Sequence, residues 1–175
     1  MNNHQKGYRR DRLVLDLIAE WGTLDTEQLR LLCYPSARVA QRRLRILTAK
    51  GKLKRAREAL EQPYAYYVKK YDPVILALNW ARLYLMKRLK SWEALEGFDY
   101  AGGATIRNTV TGAARTLVVM YGATRKTWIG GDCLVVYDTD QQRREAARRI
   151  QGELLTIDEI REELKCIRQS RQIPS

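Results

Sequence analysis

An α+β chain is predicted by two changes of hydrophobic period along these 175 residues. Apolar side chains recur at helical spacing in three segments between residues 9 and 51, and a basic, alternating stretch follows them. Beyond residue 115, short β-branched runs alternate with charged helical segments. The expected architecture is a helical module closed by a two-stranded ribbon over residues 9–70, a long linking or dimerisation helix within 71–98, and a small α/β module over 99–175.

Met1–Tyr8 reads as a polar, loose tail. Arg9 to Arg12 open an amphipathic helix that runs to Trp21, with Leu13, Val14, Leu17, Ile18 and Trp21 as its buried stripe. Gly22 ends it as a residue that tolerates the left-handed conformation. Asp25 and Gln28 have capping-box spacing for a second helix whose Leu29, Leu31 and Leu32 face inward. Tyr34-Pro35-Ser36 breaks that helix, and Ser36 caps a third, in which Ala40, Leu44 and Leu47 repeat on the inner face beside Val39 and Ile46. Gly51 closes it. Leu53 and Ala56 are then interleaved with Lys52, Lys54, Arg55 and Arg57, and Tyr64, Tyr66 and Val68 form a second extended run after a tip at Glu61-Gln62-Pro63. Aromatic residues are common in strands on packing grounds, so Tyr64 and Tyr66 are expected to cover the core.

Charge singles out this module. Residues 1–70 hold 16 Lys and Arg against 7 Asp and Glu, a net of +9, whereas residues 71–175 hold 16 against 13, a net of +3. Nine of these cations (Arg38, Arg42, Arg43, Arg45, Lys50, Lys52, Lys54, Arg55 and Arg57) fall between Ser36 and Arg57, where no acidic residue stands. Such a run repels itself unless a polyanion meets it, and duplex DNA is the polyanion that fits a helix with an adjacent ribbon. At 100° per residue Arg38, Gln41, Arg42, Arg45 and Thr48 share the arc opposite the leucines. Arg and Gln match guanine and adenine edges in the major groove, each good bidentate pair discriminating by about 1–3 kcal/mol. The expected fold of residues 9–70 is therefore a winged helix-turn-helix. Arg38, Gln41, Arg42 and Arg45 are expected to approach base edges, Thr48 to complete the same exposed DNA-binding face, and Arg43, Lys50, Lys52, Lys54, Arg55 and Arg57 to grip phosphates of double-stranded DNA.

Leu24-Asp25-Thr26-Glu27-Gln28-Leu29, Ala40-Gln41-Arg42-Arg43-Leu44-Arg45 with Leu47, and Gly51-Lys52-Leu53 together resemble the winged-helix region of the replication-relaxation family, which plasmids, conjugative elements and phages encode. The likeness covers roughly residues 10–70 and is shared with many winged-helix regulators. It implies DNA binding in the replication, transfer or transcriptional control of a mobile element. It further implies a later α/β part similar to a degenerate nuclease fold.

Asp72-Pro73 begins a new helix twice over, by an N-cap carboxylate and by a proline at the first helical position. The helix should run to about Lys90, and it carries more apolar surface than the first module can bury. That surface must meet either the C-terminal half or the 73–90 helix of a second protomer in a homodimer. Thr116–Tyr121 and Cys133–Tyr137 read as buried strands, Asp138–Gln151 as a charged helix, Glu153–Ile157 as a short strand and Asp158–Arg168 as a helix with Ile160, Leu164 and Ile167 inward. This is a parallel-sheet rhythm. Gly102-Gly103 and Gly130-Gly131 are turn signals, and neither completes a phosphate-cradling loop.

A Mg²⁺-dependent nuclease would need an Asp followed by a Glu-x-Lys or Asp-x-Lys on a neighbouring strand, and no strand here is followed by that spacing. Asp138 and Asp140 close a hydrophobic strand and could serve a nicking factor as paired carboxylates; they also suit the first turn of a helix. The only histidine, His4, lies in the tail, which leaves no ordinary Ser/His or Cys/His triad. Cys33, Cys133 and Cys166 have neither disulfide nor zinc spacing and read as small apolar residues. No catalytic residue, metal or cofactor is therefore expected. The chain opens on no charged-then-apolar leader and has no apolar run of about 18 residues, so the expectation is a cytoplasmic, nucleoid-associated protein without membrane contact.

Overall fold

The chain is α+β, with six helices and two sheets among the residues described by a computed structural model: 3–122, 132–148, 150 and 152–170. It divides into two compact units, Met1–Asn79 and Trp80–Ser175.

The first unit runs α1 (Asn3–Trp21), β1 (Leu24–Asp25), α2 (Thr26–Cys33), α3 (Ala37–Ala49), β2 (Lys54–Ala56) and β3 (Ala65–Tyr67), and ends in the first half of α4 (Pro73–Arg88). Its three strands pair antiparallel in the order β1-β3-β2. Helix α1 starts at Asn3 rather than Arg9, since no proline interrupts the preceding residues. Its buried stripe is Val14, Ile18 and Trp21, at i, i+4 and i+7, while Leu13 turns outward and Leu17 is half-buried. Leu24, Leu29, Tyr34, Ala40, Leu44, Leu47, Leu53 and Tyr66 complete this core. Each large side chain fully withdrawn from water stabilises by about 1.5–3 kcal/mol.

Local hydrogen bonds fix the order of these helices. The Asp25 carboxylate accepts from the Glu27 and Gln28 amides, both at 2.8 Å, and the Gln28 side chain accepts from the Asp25 amide at 2.9 Å. Gln28 is fully buried, and its Nε2 donates to the Leu76 carbonyl at 3.0 Å, which ties α2 to the start of α4. Ser36 caps α3 through Val39. At the other end Gly51 takes φ 67°, so that its amide reaches the Thr48 carbonyl at 2.9 Å and the Lys52 amide reaches that of Leu47 at 3.0 Å. The left-handed turn that this pair of bonds requires favours glycine.

Helix α4 crosses the division between the units. Asp72 caps it by accepting from Val74 and Ile75, and Asn79 Nδ2 donates to the carbonyls of Trp21 (3.0 Å) and Thr23 (2.8 Å) in the first unit. From Trp80 onward its partners belong to the second unit: Arg161 stacks over the Trp80 ring, and the Tyr84 hydroxyl donates to Glu153 at 2.5 Å. Ala77, Leu78, Trp80, Ala81, Leu83, Tyr84 and Leu85 are all buried within the chain. Of the large apolar residues of α4, whose surface was expected to meet either the C-terminal half or a second protomer, only Val74 and Met86 are exposed. The helix ends at Arg88, two residues before Lys90, and residues 93–98 belong to a strand rather than to a linker.

The second unit carries a five-stranded sheet in the order β4 (Glu93–Asp99), β5 (Gly103–Asn108), β6 (Ala114–Tyr121), β7 (Cys133–Tyr137), β8 (Glu153–Thr156). The expected parallel rhythm holds for β6, β7 and β8; β4, β5 and β6 are an antiparallel meander. Helix α5 (Asp140–Ala147) joins β7 to β8, and α6 (Ile157–Ser170) buries Ile160 and Leu164. On one face Cys133, Val135, Tyr137 and Ile150 form a core with Val118, Met120, Ala146 and Leu154. The Gly102-Gly103 turn closes the β4–β5 hairpin, whereas Gly130-Gly131 and the side chains of Cys166 and Ile167 lie outside the described residues.

Candidate nucleic-acid interface

The inner leucines of α3 determine what its outer arc presents. With Ala40, Leu44 and Leu47 buried, Arg38, Gln41, Arg42 and Arg45 are left exposed along one side of the helix. Thr48 ends this arc half-buried rather than exposed, with its hydroxyl donating back to the Leu44 carbonyl at 2.9 Å.

The hairpin obeys the two-residue period of a strand. Arg55 pairs with Tyr66, so Arg55, Arg57, Tyr64 and Tyr66 share one face, and Lys54, Ala56 and Ala65 the other. The first face looks across to α3. Between them lies a groove of about 540 Å³ walled by Gln41 and Arg45 of α3, Arg55, Arg57, Gln62, Pro63, Tyr64 and Tyr66 of the hairpin, and Thr26, Glu27 and Arg30 of α2. Arg30 is held by Glu27 at 3.3 Å. Tyr66 is buried, and burial raises its hydroxyl above the ordinary value, so it is a neutral wall. Tyr64 has a different role from the core cover expected of it: the Arg55 and Arg57 guanidinium groups stand over its ring, 4.5 and 4.6 Å from the centroid.

Of the cations expected at the interface, Gln41's neighbours Arg45, Arg55 and Arg57 converge on the groove, and Arg38 and Arg42 extend the same helix face beyond it. Lys54 lies on the opposite face of the hairpin, and Lys50 and Lys52 are exposed around the turn after α3 without lining the groove. Arg43 departs from expectation. Its Nε donates to Asp11 Oδ1 at 3.0 Å and a terminal nitrogen donates to Oδ2, so that, unlike the other expected cations, it is held in a two-pronged pair with α1. That hydrogen bonding raises Arg43 further above its ordinary value. The pairing was not visible in the sequence because the partner lies 32 residues upstream. Arg30 and Tyr64 could have been found: Thr26 and Arg30 stand at i, i+4 on α2, and Tyr64 stands two residues before Tyr66, the partner of Arg55.

Asp138 and Asp140 each have partners within the second unit. Asp138 accepts from the Tyr121 hydroxyl. Asp140 lies in the first turn of α5, behind the Thr139 cap, and binds Arg143 at 2.5 Å and Arg144 at 2.6 Å. The hydrogen bond from Arg143 holds its carboxyl below the usual range. Strands β5 and β6 carry no carboxylate, and no cluster of three or more His, Cys, Asp or Glu suited to a metal occurs among the described residues. Cys33 is half-buried and its thiol is pushed up to about 11 by burial; Cys133 is buried and raised by the same cause. Within the described residues no helix is long and apolar enough to cross a membrane.

No family model, curated protein or solved structure matches the chain.

Proposed function

We propose that residues 9–70 are a winged helix-turn-helix that binds double-stranded DNA, α3 entering the major groove and the β2–β3 hairpin serving as the wing. The observation that carries this reading is the groove in which α3 and the hairpin meet, walled by Gln41, Arg45, Arg55 and Arg57. Two further features support it: the order α1-β1-α2-α3-β2-β3 with a β1-β3-β2 sheet, and the exposed Arg38 and Arg42 that continue the same helix face. The role is non-catalytic, in the transcription, replication or transfer of a mobile element, as the likeness to the replication-relaxation family implies, and the site of action is the nucleoid. The homodimer through the 73–90 helix loses its motive, because that helix buries its apolar side chains within the chain.

The test is selection of bound duplexes from a random pool, followed by affinity measurement on the recovered sequence. Arg42→Ala combined with Arg45→Ala should weaken binding at least about tenfold. Recovery of no sequence above background, or an unchanged affinity of the double variant, removes α3 from the reading role.

A further inference from the structure

Resting on the duplex reading, we infer that Tyr64 is a positioning residue, which holds the Arg55 and Arg57 guanidinium groups ready as a clamp for the phosphates of one strand. Both groups reach the ring from the same face of the hairpin, and Arg57 is fixed a second time, its Nη1 donating to the Leu60 carbonyl at 2.9 Å. Neither Arg55 nor Arg57 makes an ion pair with a described carboxylate. A guanidinium carries its five donors in its own plane. Contact with an aromatic ring restricts its rotamers while leaving N–H edges for oxygen ligands. The rotamer freedom that a flexible arginine loses on docking is therefore largely lost already in the free protein, which is the meaning of preorganisation at a binding site.

The ligand chemistry follows from the neighbours. Forked donors fit the paired oxygens of a phosphodiester or of a carboxylate. The opposite wall pairs Arg45 with Gln41, whose amide both donates and accepts, a combination suited to a base edge rather than to an acidic side chain. A nucleic-acid strand uses both walls, and an acidic peptide uses one.

The experiment uses the full chain. In the free protein, ring current from Tyr64 should shift the δ-proton resonances of Arg55 and Arg57 upfield, a shift kept in Tyr64→Phe and lost in Tyr64→Leu. With a selected fluorescent duplex, Tyr64→Phe should bind within about twofold of wild type, whereas Tyr64→Leu should be about three- to tenfold weaker. The slope of log K against log salt should stay the same in Tyr64→Leu, because both charges remain. Arg55→Ala with Arg57→Ala should reduce that slope by about 1.8 and make a further Tyr64→Leu change silent. Since the two arginine substitutions leave the ring in place, they keep the test decisive should Tyr64→Leu fail to fold. Tyr64→Leu binding like wild type, Tyr64→Phe as weak as Tyr64→Leu, or a glutamate-rich peptide bound as tightly as the duplex would each overturn the clamp. Wild type that binds no duplex removes the duplex reading itself, while duplex binding with a silent Tyr64→Leu removes the clamp alone.

Discussion

The two units handle positive charge in opposite ways. In the second, Arg88 pairs with Glu153 and Glu163, Arg107 with Glu96, Arg115 with Glu93, Arg143 with Asp140 and Glu159, Arg144 with Asp140, and Arg161 with Asp158. Ion pairs of the first unit include Arg12–Asp16, Arg30–Glu27 and Arg43–Asp11, and the exposed cations of α3 and the hairpin make none with a described residue. Exposed ion pairs add little stability, so the lesson is not about folding. It concerns where the charge is left unpaired: six described arginines of the second unit have carboxylate partners, whereas the exposed cations of α3 and the hairpin have none among the described residues, which is the charge the proposed DNA reading would use.

The sharpest break between the units comes from one glycine. A Cβ at Gly152 would meet the Cys133 sulfur and come within 3.0 Å of the Cys133 carbonyl oxygen, so Gly152→Ala forces β7 and the start of β8 apart. Calorimetry should show a loss of about 1–3 kcal/mol. Duplex affinity below the unfolding temperature should be unchanged, because the binding residues belong to the other unit.

Arg43 sharpens the contrast from within the first unit. Arg43→Ala removes the two-pronged bond to Asp11 and should destabilise by about 1–2 kcal/mol in chemical denaturation. The salt slope of duplex binding should not change, which separates it from Arg42 and Arg45. A slope reduced by about 0.9 would return Arg43 to the phosphate-contacting set.

The smallest effects are expected where the second unit is asked for chemistry. Supercoiled plasmid incubated with the protein and Mg²⁺ or Mn²⁺ should stay supercoiled on a gel, for wild type and Asp138→Ala alike. Nicking by wild type that Asp138→Ala abolishes would restore the nuclease alternative. Light scattering at tens of micromolar should report a monomer, since α4 leaves only Val74 and Met86 exposed among its large apolar residues.

Helix existence was legible wherever a cap and a 3.6-residue stripe coincided, as at Asp25 and Gln28, Ser36, and Asp72 with Pro73. Strands β6, β7 and β8 were legible from β-branched or apolar runs. Strands β4 and β5 were not: Glu93–Asp99 and Gly103–Asn108 contain glycine and charged residues, and their pairing rests on a bulge between Leu95 and Gly97 that local propensity does not encode. The two-residue β1 was likewise hidden, because it is defined by its partner Tyr66, some forty positions away. At the candidate interface, sequence periodicity found the exposed arc of α3 but not which cations are taken. The loss of Arg43 to Asp11, and the turning of Lys54 away from Arg55, depend on tertiary contact and on strand pairing.

The most direct test removes two charges from each unit and compares the cost. Arg42→Ala with Arg45→Ala takes them from α3, and Arg144→Ala with Arg148→Ala takes the same number from α5 and the residue that ends it. Measured by anisotropy on one selected duplex at one salt concentration, the α3 pair should weaken binding at least about tenfold, and the α5 pair should leave it within about twofold. Equal losses would mean that the protein is held by its overall charge, and the account of a reading helix beside a basic wing would be wrong.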